Sequence, residues 1–293
     1  MKGRGVLWQR VVTALVLLAV LLPALWAPTA TPFIALTLLF IAAAAWEWAR
    51  LNGVAGVGAL VTGALCGALC AGLWWGGAVG QPLPLLWVGA ALVWVLGGAW
   101  LLARGVAGWP RLPRLLRWAI GLVILCMAWL AMAQARRIGV NFLLSVLVLV
   151  WAADIFAYFA GRALGGKLTG GRKLAPAISP GKSWEGVWGG MLGVLLVAAV
   201  WVGLDRAQAV GAASLYTRLL QLGPAVLVLG ALFLSAMSVV GDLFESLVKR
   251  SAGMKDSSQL LPGHGGVLDR IDALLPTLPL AMLLASLGEG LGA

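Results

Sequence analysis

Long apolar runs separated by short polar connections dominate this chain. No Asp, Glu, Lys or Arg occurs between Leu51 and Ala103. A helix needs roughly 20 mostly apolar residues to cross a bilayer, so this stretch holds two helices with a break at residues 76–84. The pattern over the whole chain predicts nine membrane-spanning helices. They lie near residues 11–27, 31–48, 55–76, 84–103, 115–134, 139–161, 186–204, 222–243 and 273–289.

Composition supports the same fold class. Of the 293 residues, 62% are hydrophobic and 11% are charged, whereas about a quarter of the residues in a soluble domain are charged. The sequence therefore predicts an all-α, polytopic integral membrane protein. The first span carries no small-residue cleavage site, so we expect it to be retained rather than removed as a signal peptide.

The net charge of +11 follows from the predicted loops. Lys and Arg collect in the cytoplasmic loops of membrane proteins. With the N-terminus in the cytoplasm and the C-terminus outside, four of the 21 Lys and Arg fall outside and 17 fall inside. The four are Arg136, Arg137, Arg206 and Arg218. The sequence has no basic motif interleaved with aromatic residues, so we expect no nucleic-acid partner.

The chain reads as one membrane domain, residues 1–293, with its polar chemistry in one half. Residues 1–135 form a generic transmembrane scaffold in which Glu47 is the only acid. Residues 139–293 form the catalytic half, with predicted cytoplasmic loops at 161–186 and 244–272. These two loops are the places to look for a site.

The three cysteines lie within apolar spans. Cys66 and Cys70 share a helix face, but no histidine or further cysteine is expected beside them, as a zinc site would require. The pattern therefore indicates small residues that pack helices together.

A stripe of three polar side chains lies at the end of the sixth predicted span. Asp154, Tyr158 and Arg162 follow one another at intervals of four residues, so they share one helix face. Two interpretations stay open. Asp154 belongs either to a structural Asp–Arg pair that locks helices together or to a functional site, since charged residues inside apolar spans are costly.

The loop 161–186 combines cations with glycines. Glycines let backbone amides approach an anion closely, and cations complement phosphate charge. An ordinary cytoplasmic loop, which also collects positive charge, is the alternative. The GKS triplet at 181–183 is not a P-loop, because Pro176 stands where the first glycine belongs.

The segment GDLFESLVKR, residues 241–250, places Asp242, Glu245 and Lys249 on one helix face. A solvated helix end is the alternative. Carboxylate oxygens suit a hard cation such as Mg²⁺, which commonly also binds substrate phosphates.

The segment HGGVLDRID, residues 264–272, begins with the chain's only histidine and two glycines that permit a tight turn. Asp269 and Asp272 then share a face at the start of the last span. Capping of that helix by negative charge is the alternative role for Asp272. A single histidine does not supply the ligands of a zinc site.

Residues 246–272 read SLVKRSAGMKDSSQLLPGHGGVLDRID. This order resembles the signature of the phosphatidate cytidylyltransferases (CDP-diacylglycerol synthases), S-x-V-K-R-x4-K-D-x-S-x2-L-P-x-H-G-G-V-x-D-R-I-D. The segment ISPGKSWEG, residues 178–186, resembles a family segment of the form ISPKKTWEG, from which Gly181 and Ser183 depart. Ser183 keeps the hydroxyl, whereas Gly181 removes one cation.

The resemblance implies that CTP and phosphatidate react to give CDP-diacylglycerol and pyrophosphate, with Mg²⁺ alone or together with a second cation. The implied catalytic residues are Asp242, Asp269, Lys249, Arg250, Lys255, Asp256, His264 and Arg270, of which the Lys and Arg side chains face the leaving pyrophosphate. The implied nucleotide-binding residues are Lys167, Arg172, Lys173, Ser179, Lys182, Ser183, Glu185, Gly265 and Gly266. The implied metal ligands are Asp242, Asp269 and Asp272, and the first two are expected to meet in the fold.

The same reading implies CTP, phosphatidate and membrane lipids as partners, with a homodimer as an open alternative. It implies a bacterial inner-membrane protein whose site faces the cytoplasm. Among other functions, a secondary transporter would explain Asp154, but such proteins often show related halves. A CDP-alcohol phosphotransferase would carry D-G-x2-A-R-x8-G-x3-D-x3-D, which is absent. A cytidylyltransferase acting on a different lipid phosphate would share the signature, so it stays open.

Overall fold

The computed structural model describes residues 2–208 and 211–289, which form a helical bundle with one short antiparallel hairpin. The helices are α1 (Lys2–Trp26), α2 (Thr31–Leu51), α3 (Val57–Trp75), α4 (Pro84–Leu92), α5 (Gly98–Arg104), α6 (Arg114–Ile138), α7 (Val140–Leu164), α8 (Trp184–Ala207), α9 (Leu215–Leu222), α10 (Pro224–Ser251), α11 (Leu268–Ile271) and α12 (Leu274–Glu289). The strands of the hairpin are β1 (Lys173–Ala175) and β2 (Ser179–Ser183).

The predicted membrane spans are confirmed. Within the described residues, nine helical segments are long and apolar enough to cross a membrane. One of them combines α4 and α5, which the π-helical turn Val93–Gly97 joins without a break. Many large apolar side chains on the outer faces are exposed, as expected of helices that contact lipid.

The predicted loop 161–186 contains the hairpin, which the sequence analysis did not anticipate. Pro176 keeps the segment between β1 and β2 out of a helix, and the two strands pair antiparallel on either side of it. Ser183 then begins α8, because its hydroxyl accepts a hydrogen bond from the Gly186 amide at 3.2 Å. β2 therefore leads directly into the first turn of α8.

A second unpredicted element is the short helix α9, at the end of the bundle opposite the hairpin. Asp205 accepts hydrogen bonds from the Ser214 amide at 3.0 Å, the Thr217 hydroxyl at 2.6 Å and the Asn141 amide group at 2.9 Å. These bonds join α7, α8 and α9. At eight residues α9 is too short to span a bilayer, so a search for long apolar runs does not find it.

An aromatic cluster fixes α10 against α2. Trp48 stacks on Phe244 with ring centroids 5.9 Å apart, and Trp94 and Trp109 pack edge-on against the same ring at 5.4 and 5.6 Å. Such pairs each contribute about 0.5–1.5 kcal/mol beyond the burial of their area. Trp48 follows Glu47 directly, so the cluster fixes the turn of α2 that carries this acid of the scaffold half.

Small residues bring α8 close to α7. A Cβ at Gly190 would lie 2.7 Å from the carbonyl oxygen of Ala153, and one at Gly189 would lie 2.1 Å from Cβ of Ala160. Close backbone approach at small residues is a common way to pack membrane helices. It sets the hairpin and the first turn of α8 beside the stretch of α7 that carries Asp154.

The expectation that no further cysteine accompanies Cys66 and Cys70 is wrong. Sγ of Cys126 on α6 lies 3.8 Å from Sγ of Cys66 and 3.7 Å from Sγ of Cys70. These distances are well beyond the roughly 2.05 Å of a disulfide. The three thiols pack α3 against α6.

Candidate active site

Glu47 is fully buried and binds the loop between α10 and α11. Its Oε1 accepts hydrogen bonds from the Ser258 hydroxyl at 2.5 Å and the Val267 amide at 2.9 Å. Its Oε2 accepts from the Ser257 hydroxyl at 3.1 Å and the Leu268 amide at 2.7 Å. Four donors to one carboxylate offset the cost of burying its charge. An acid of the scaffold half therefore shapes the loop that carries the signature.

Asp269 lies in α11 and is held by the same loop. Its Oδ1 accepts a hydrogen bond from Nζ of Lys249 at 2.6 Å. Its Oδ2 accepts from the Ser257 amide at 3.0 Å and the Gly266 amide at 2.8 Å, and it shares the single hydroxyl proton of Ser257, 3.0 Å away, with Glu47. These bonds fix the orientation of the carboxylate and use much of its capacity to accept.

Gly265 and Gly266 let the backbone approach both acids. Gly265 has φ +82°, a conformation that favours glycine, and a Cβ there would lie 2.8 Å from Oδ2 of Asp269. A Cβ at Gly266 would lie 2.0 Å from the Ser257 hydroxyl and 2.5 Å from Oε1 of Glu47. The two glycines shape the loop around its acids, whereas their predicted contact with nucleotide stays a prediction.

Lys249 lies between two acids. Its ammonium contacts Oε2 of Glu245 and lies 2.6 Å from Oδ1 of Asp269. Lys249 and Glu245 are both buried, so removing the lysine would leave two carboxylates in the bundle without their shared cation. This geometry gives Lys249 a positioning role, and its predicted contact with pyrophosphate stays a prediction.

Three further acids converge from α7, α10 and the junction between α11 and α12. Asp242 interacts electrostatically with both Asp154 and Asp272, which also interact with each other. Gly241 brings α10 against the junction, since a Cβ there would lie 2.4 Å from the carbonyl oxygen of Asp272. Lys182 of β2 forms an ion pair with Asp242 at 2.6 Å. The hairpin is thereby attached to the acidic cluster, which we define as Asp154, Asp242 and Asp272.

A cavity of about 560 Å³ with four charged side chains on its wall, called the polar cavity below, lies beside this cluster. Asp154 and Asp242 line it together with the cations Arg162 and Lys182. Within the described residues, Arg162 donates to the Tyr158 hydroxyl at 2.9 Å and does not pair with Asp154. The structural Asp–Arg pair is therefore not formed with Arg162, and Asp154 faces a cavity of the size that ligands occupy.

Glu185 anchors the glycine-rich turn that follows α7. Its Oε1 accepts hydrogen bonds from the Leu168 amide at 3.2 Å and from the Thr169 amide and hydroxyl at 3.0 and 2.7 Å. Glu185 is buried, so it organises the loop from within. Lys167 is exposed and donates to the Ala163 carbonyl at 2.7 Å.

The other predicted residues of the basic loop differ in exposure. Arg172 and Lys173 are exposed at the start of the hairpin. Ser179 is half-buried in β2, and Ser183 is buried, with its hydroxyl engaged as the cap of α8. Lys182 is the predicted loop cation that the structure brings to the acidic cluster.

The rest of the signature lies around the loop that Glu47 holds. Lys255 and Asp256 are exposed, and so is Arg250, which donates to the Met254 carbonyl at 3.3 Å. His264 is half-buried, and its carbonyl oxygen accepts a hydrogen bond from Nε of Arg270 at 2.8 Å. Thus these residues lie in one segment, but the structure does not place them on the wall of the polar cavity.

The donor chemistry of the acidic cluster suits a hard divalent cation. It contributes hard carboxylate oxygens, the ligands that Mg²⁺ prefers. Its three carboxylates exceed the single ammonium, that of Lys182, which pairs with Asp242. Of the predicted ligands, Asp242 and Asp272 belong to this cluster, whereas Asp269 is bonded to Lys249 and to the loop.

Two residues with evident roles were missed by sequence reasoning as site residues. Glu47 was assigned to the scaffold half, and Asp154 was left between two roles. In both cases a signal was present, because a lone acid within a long apolar run is costly and requires a partner. What the sequence does not reveal is which partner, since Glu47 and Leu268 are 221 residues apart in the chain.

Comparison with known proteins gives a consistent result. The profile of the cytidylyltransferase family matches residues 8–287. A phosphatidate cytidylyltransferase of Pseudomonas aeruginosa is 40% identical over 290 residues, which cover 96% of this chain and 98% of that protein. One of Haemophilus influenzae is 50% identical over 141 residues, which cover 48% of this chain and 44% of that protein. One of Bacillus subtilis is 38% identical over 149 residues, which cover 51% of this chain and 49% of that protein.

The family match and the match to the Pseudomonas aeruginosa protein extend over the acidic cluster, the hairpin and the loop that Glu47 holds, so the likeness includes the site as well as the apolar helices. This chain belongs to the cytidylyltransferase family.

Proposed function

We propose that this protein transfers the cytidylyl group of CTP to phosphatidate and so forms CDP-diacylglycerol and pyrophosphate. The observation that carries the proposal is the acidic cluster beside a polar cavity with Lys182 and Arg162 on its wall. A relative that matches 96% of the chain carries the name of this activity. A membrane bundle with a polar cavity at one end suits a substrate that has a phosphate headgroup and acyl chains.

The residues proposed to hold Mg²⁺ are Asp154, Asp242 and Asp272, with Asp269 oriented nearby by Lys249. When bound, this ion supplies positive charge that offsets the charge of the CTP phosphates. A second cation remains part of the proposal. Glu245 and Asp269 add two more carboxylates beside the cluster, and the single ammonium of Lys249 offsets only one of these charges.

The transfer forms one bond and breaks one. A phosphate oxygen of phosphatidate attacks the α-phosphorus of CTP, and the bond from that phosphorus to the oxygen bridging to the β-phosphate breaks. Phosphatidate arrives as an anion, so the reaction needs no general base. The work of the protein is then positioning and electrostatic stabilisation.

Lys182 and Arg162 are the cations best placed for this stabilisation, because both line the polar cavity. Lys182 is paired with Asp242, so it links the charge of a bound nucleotide to the acidic cluster. The exposed cations Lys167, Arg172 and Lys173 lie on the loop before β2 and in β1. There they favour the approach of an anionic nucleotide through long-range attraction.

We infer that the site faces the cytoplasm of a bacterial inner membrane. The compared relatives are bacterial. The predicted cytoplasmic loop 161–186 lies beside the end of α10 that leads into the loop 244–272, because Lys182 forms an ion pair with Asp242. CTP is a cytosolic nucleotide, which agrees with this orientation. A homodimer stays a prediction of the sequence.

The test uses purified protein in lipid nanodiscs, radiolabelled CTP and several lipid phosphates. We expect a lipid-linked cytidine nucleotide with phosphatidate, loss of the product on chelation of divalent ions, and its return with Mg²⁺. If no lipid phosphate gives such a product, the proposed function is wrong. A product with a different lipid phosphate alone would favour the alternative substrate.

Asp242→Asn tests the metal assignment. It removes one charge at the centre of the cluster, so turnover should fall by roughly 10³-fold or more, while the protein stays folded. Asp205→Asn is the matched control, because Asp205 lies at the opposite end of the bundle; it should lower stability through a lost acceptor and leave the turnover of the folded protein unchanged. Near-normal turnover of Asp242→Asn would remove Asp242 from the metal site.

A further inference from the structure

A second cavity, of about 240 Å³, lies between α1, α2, α6, α7 and the segment formed by α11 and α12. Its lining is apolar except for Thr37 and Arg270. The Thr37 hydroxyl donates to the carbonyls of Phe33 and Ile34 at 3.0 and 3.1 Å, so it is satisfied within its own helix. Among the residues that the structure describes, Arg270 is then the one charged group on the wall of this apolar cavity.

The apolar cavity is long in the direction of the helices. On α2 its lining runs from Phe33 to Ile41. At 1.5 Å per residue this separation of eight positions extends about 12 Å along the helix. Two opposed layers of acyl chains fill a hydrocarbon core of about 30 Å, so the depth suits a single acyl chain.

Arg270 marks the polar end of the apolar cavity. Its Nε donates to the His264 carbonyl at 2.8 Å, and its Nη2 contacts the same oxygen. These contacts hold the guanidinium in place, while its Nη1 has no partner among the residues that the structure describes. A fixed guanidinium with a remaining donor suits phosphate, to which Arg binds with strong charge-assisted hydrogen bonds.

The apolar cavity adjoins the acidic cluster on two helical segments. Ile271 lines the apolar cavity, and the next residue, Asp272, belongs to the cluster. On α7, Trp151 lines the apolar cavity, and Asp154 lines the polar cavity less than one turn later. A lipid with a chain in the apolar cavity would therefore carry its phosphate between Arg270 and the acids.

The apolar cavity also borders the lipid. Trp151 is 53% exposed although it lines the cavity. On α1 the half-buried Leu17 and Leu21 contribute to the wall, while most neighbouring side chains face outward. A wall with so little packing lets a chain enter from the side.

We propose that the apolar cavity binds one acyl chain of the lipid phosphate substrate and that Arg270 binds its phosphate. This inference rests on the proposed function and refines it. It assigns Arg270 to the phosphate of the lipid, whereas the resemblance implied that Arg270 faces the leaving pyrophosphate. The lipid phosphate and the nucleotide then occupy different cavities, and the acidic cluster lies where the two cavities adjoin.

Ala128→Leu tests the acyl-chain site. The Trp48 side chain donates to the Arg117 carbonyl at 3.0 Å, which places Arg117 level with the loop end of α2. Ala128 lines the apolar cavity 11 residues further along α6, about 16 Å deeper. A larger side chain there fills the far half of the apolar cavity. It should therefore lower kcat/KM for dipalmitoyl phosphatidate about tenfold. For the shorter dioctanoyl phosphatidate, kcat/KM should stay within about twofold.

Ala198→Leu on α8 is the matched control, because Ala198 is equally buried but does not line the apolar cavity. It should leave the ratio between long and short substrates unchanged. If Ala128→Leu also leaves this ratio unchanged while CDP-diacylglycerol forms, the acyl-chain site is wrong and the proposed function stands.

Arg270→Gln tests the phosphate contact. It should raise KM for phosphatidate about tenfold, the effect of losing one charge-assisted contact, and leave KM for CTP unchanged. Arg206→Gln, at the far end of α8, is the control cation. A rise in KM for CTP with an unchanged KM for phosphatidate would place Arg270 on the nucleotide and overturn the assignment.

A binding readout separates this inference from turnover. Phosphatidate with a photoreactive diazirine near the end of one acyl chain is crosslinked to the protein without CTP, and the labelled peptides are identified by mass spectrometry. We expect label near Ala128 and Leu278, displaced by phosphatidate and not by phosphatidylcholine. Equal displacement by phosphatidylcholine, or label elsewhere, would overturn the inference. Absence of a lipid-linked nucleotide with every lipid phosphate would instead overturn the proposed function.

Discussion

The carboxylate of Glu47 accepts a hydrogen bond of 2.7 Å from the backbone amide of Leu268. The bond joins the scaffold half to the first residue of α11, so the two halves form one site. Together with the bonds from Ser257, Ser258 and Val267, it fixes the loop between α10 and α11. This loop, residues 252–267, is called the signature loop below.

Glu47→Gln should destabilise this loop. The amide keeps one acceptor oxygen but turns an NH₂ group toward donors, so at least one buried donor loses its partner, at a cost of about 1–3 kcal/mol. We expect a lower unfolding temperature, faster hydrogen exchange in residues 252–268 and a loss of turnover. Hydrogen exchange with mass spectrometry measures the loop directly.

Glu185→Gln is the matched control for that experiment. It makes the same substitution in another buried acid, but Glu185 holds the turn at Leu168 and Thr169. Its faster exchange should be confined to residues 165–172. Faster exchange of the signature loop in Glu185→Gln, or unchanged exchange there in Glu47→Gln, would contradict the role of Glu47.

The sequence predicted the spans because long apolar runs report directly on crossing a bilayer. It also grouped Asp242, Glu245 and Lys249, since spacing fixes which residues share a helix face. It did not reveal that Lys249 is buried between Glu245 and Asp269. That contact depends on how α10 packs against α11, and local periodicity carries no information about such packing.

The hairpin illustrates the same limit at short range. The sequence predicted a loop at 161–186 with cations among its glycines, but not the strands β1 and β2, which have three and five residues. Strands this short lack the alternation by which a strand is recognised. The Lys182–Asp242 ion pair depends on this hairpin, so the partner of Asp242 was not predictable either.

Asp154→Asn distinguishes the two roles that the sequence left open for this residue. If Asp154 belongs to the acidic cluster, the change should lower turnover by roughly 10²-fold or more. Stability should stay equal or rise, because repulsion with Asp242 and Asp272 decreases. Turnover and thermal unfolding are measured on the same preparation. Reduced stability with normal kcat would instead assign Asp154 a structural role.

Gly266→Ala should disrupt the signature loop more than its small size suggests. The added Cβ would lie 2.0 Å from the Ser257 hydroxyl and 2.5 Å from Oε1 of Glu47, so both groups must move and their bonds to the loop weaken. We expect a loss of about 1–3 kcal/mol in the free energy of unfolding.

Gly203→Ala is the control for that substitution, because it lies within α8 with nothing within 4 Å of its added Cβ. It should be neutral or slightly stabilising, since alanine favours a helix. Equal unfolding temperatures for Gly266→Ala and Gly203→Ala would show that the loop tolerates the added atom and that the close approach has no energetic weight.

Gly181→Lys should strengthen the binding of CTP. Gly181 lines the polar cavity, and a Cβ there would meet nothing within 4 Å, so a long side chain can be accommodated beside Lys182. An exposed cation interacting with an anion contributes about 0.2–1 kcal/mol, which lowers KM for CTP by roughly 1.4- to 5-fold. Because the interaction is exposed, it should weaken at high ionic strength. Gly181→Gln adds similar length without charge and should leave KM unchanged. An equal effect of Lys and Gln, or a KM that does not respond to salt, would show that residue 181 lies away from the nucleotide phosphates.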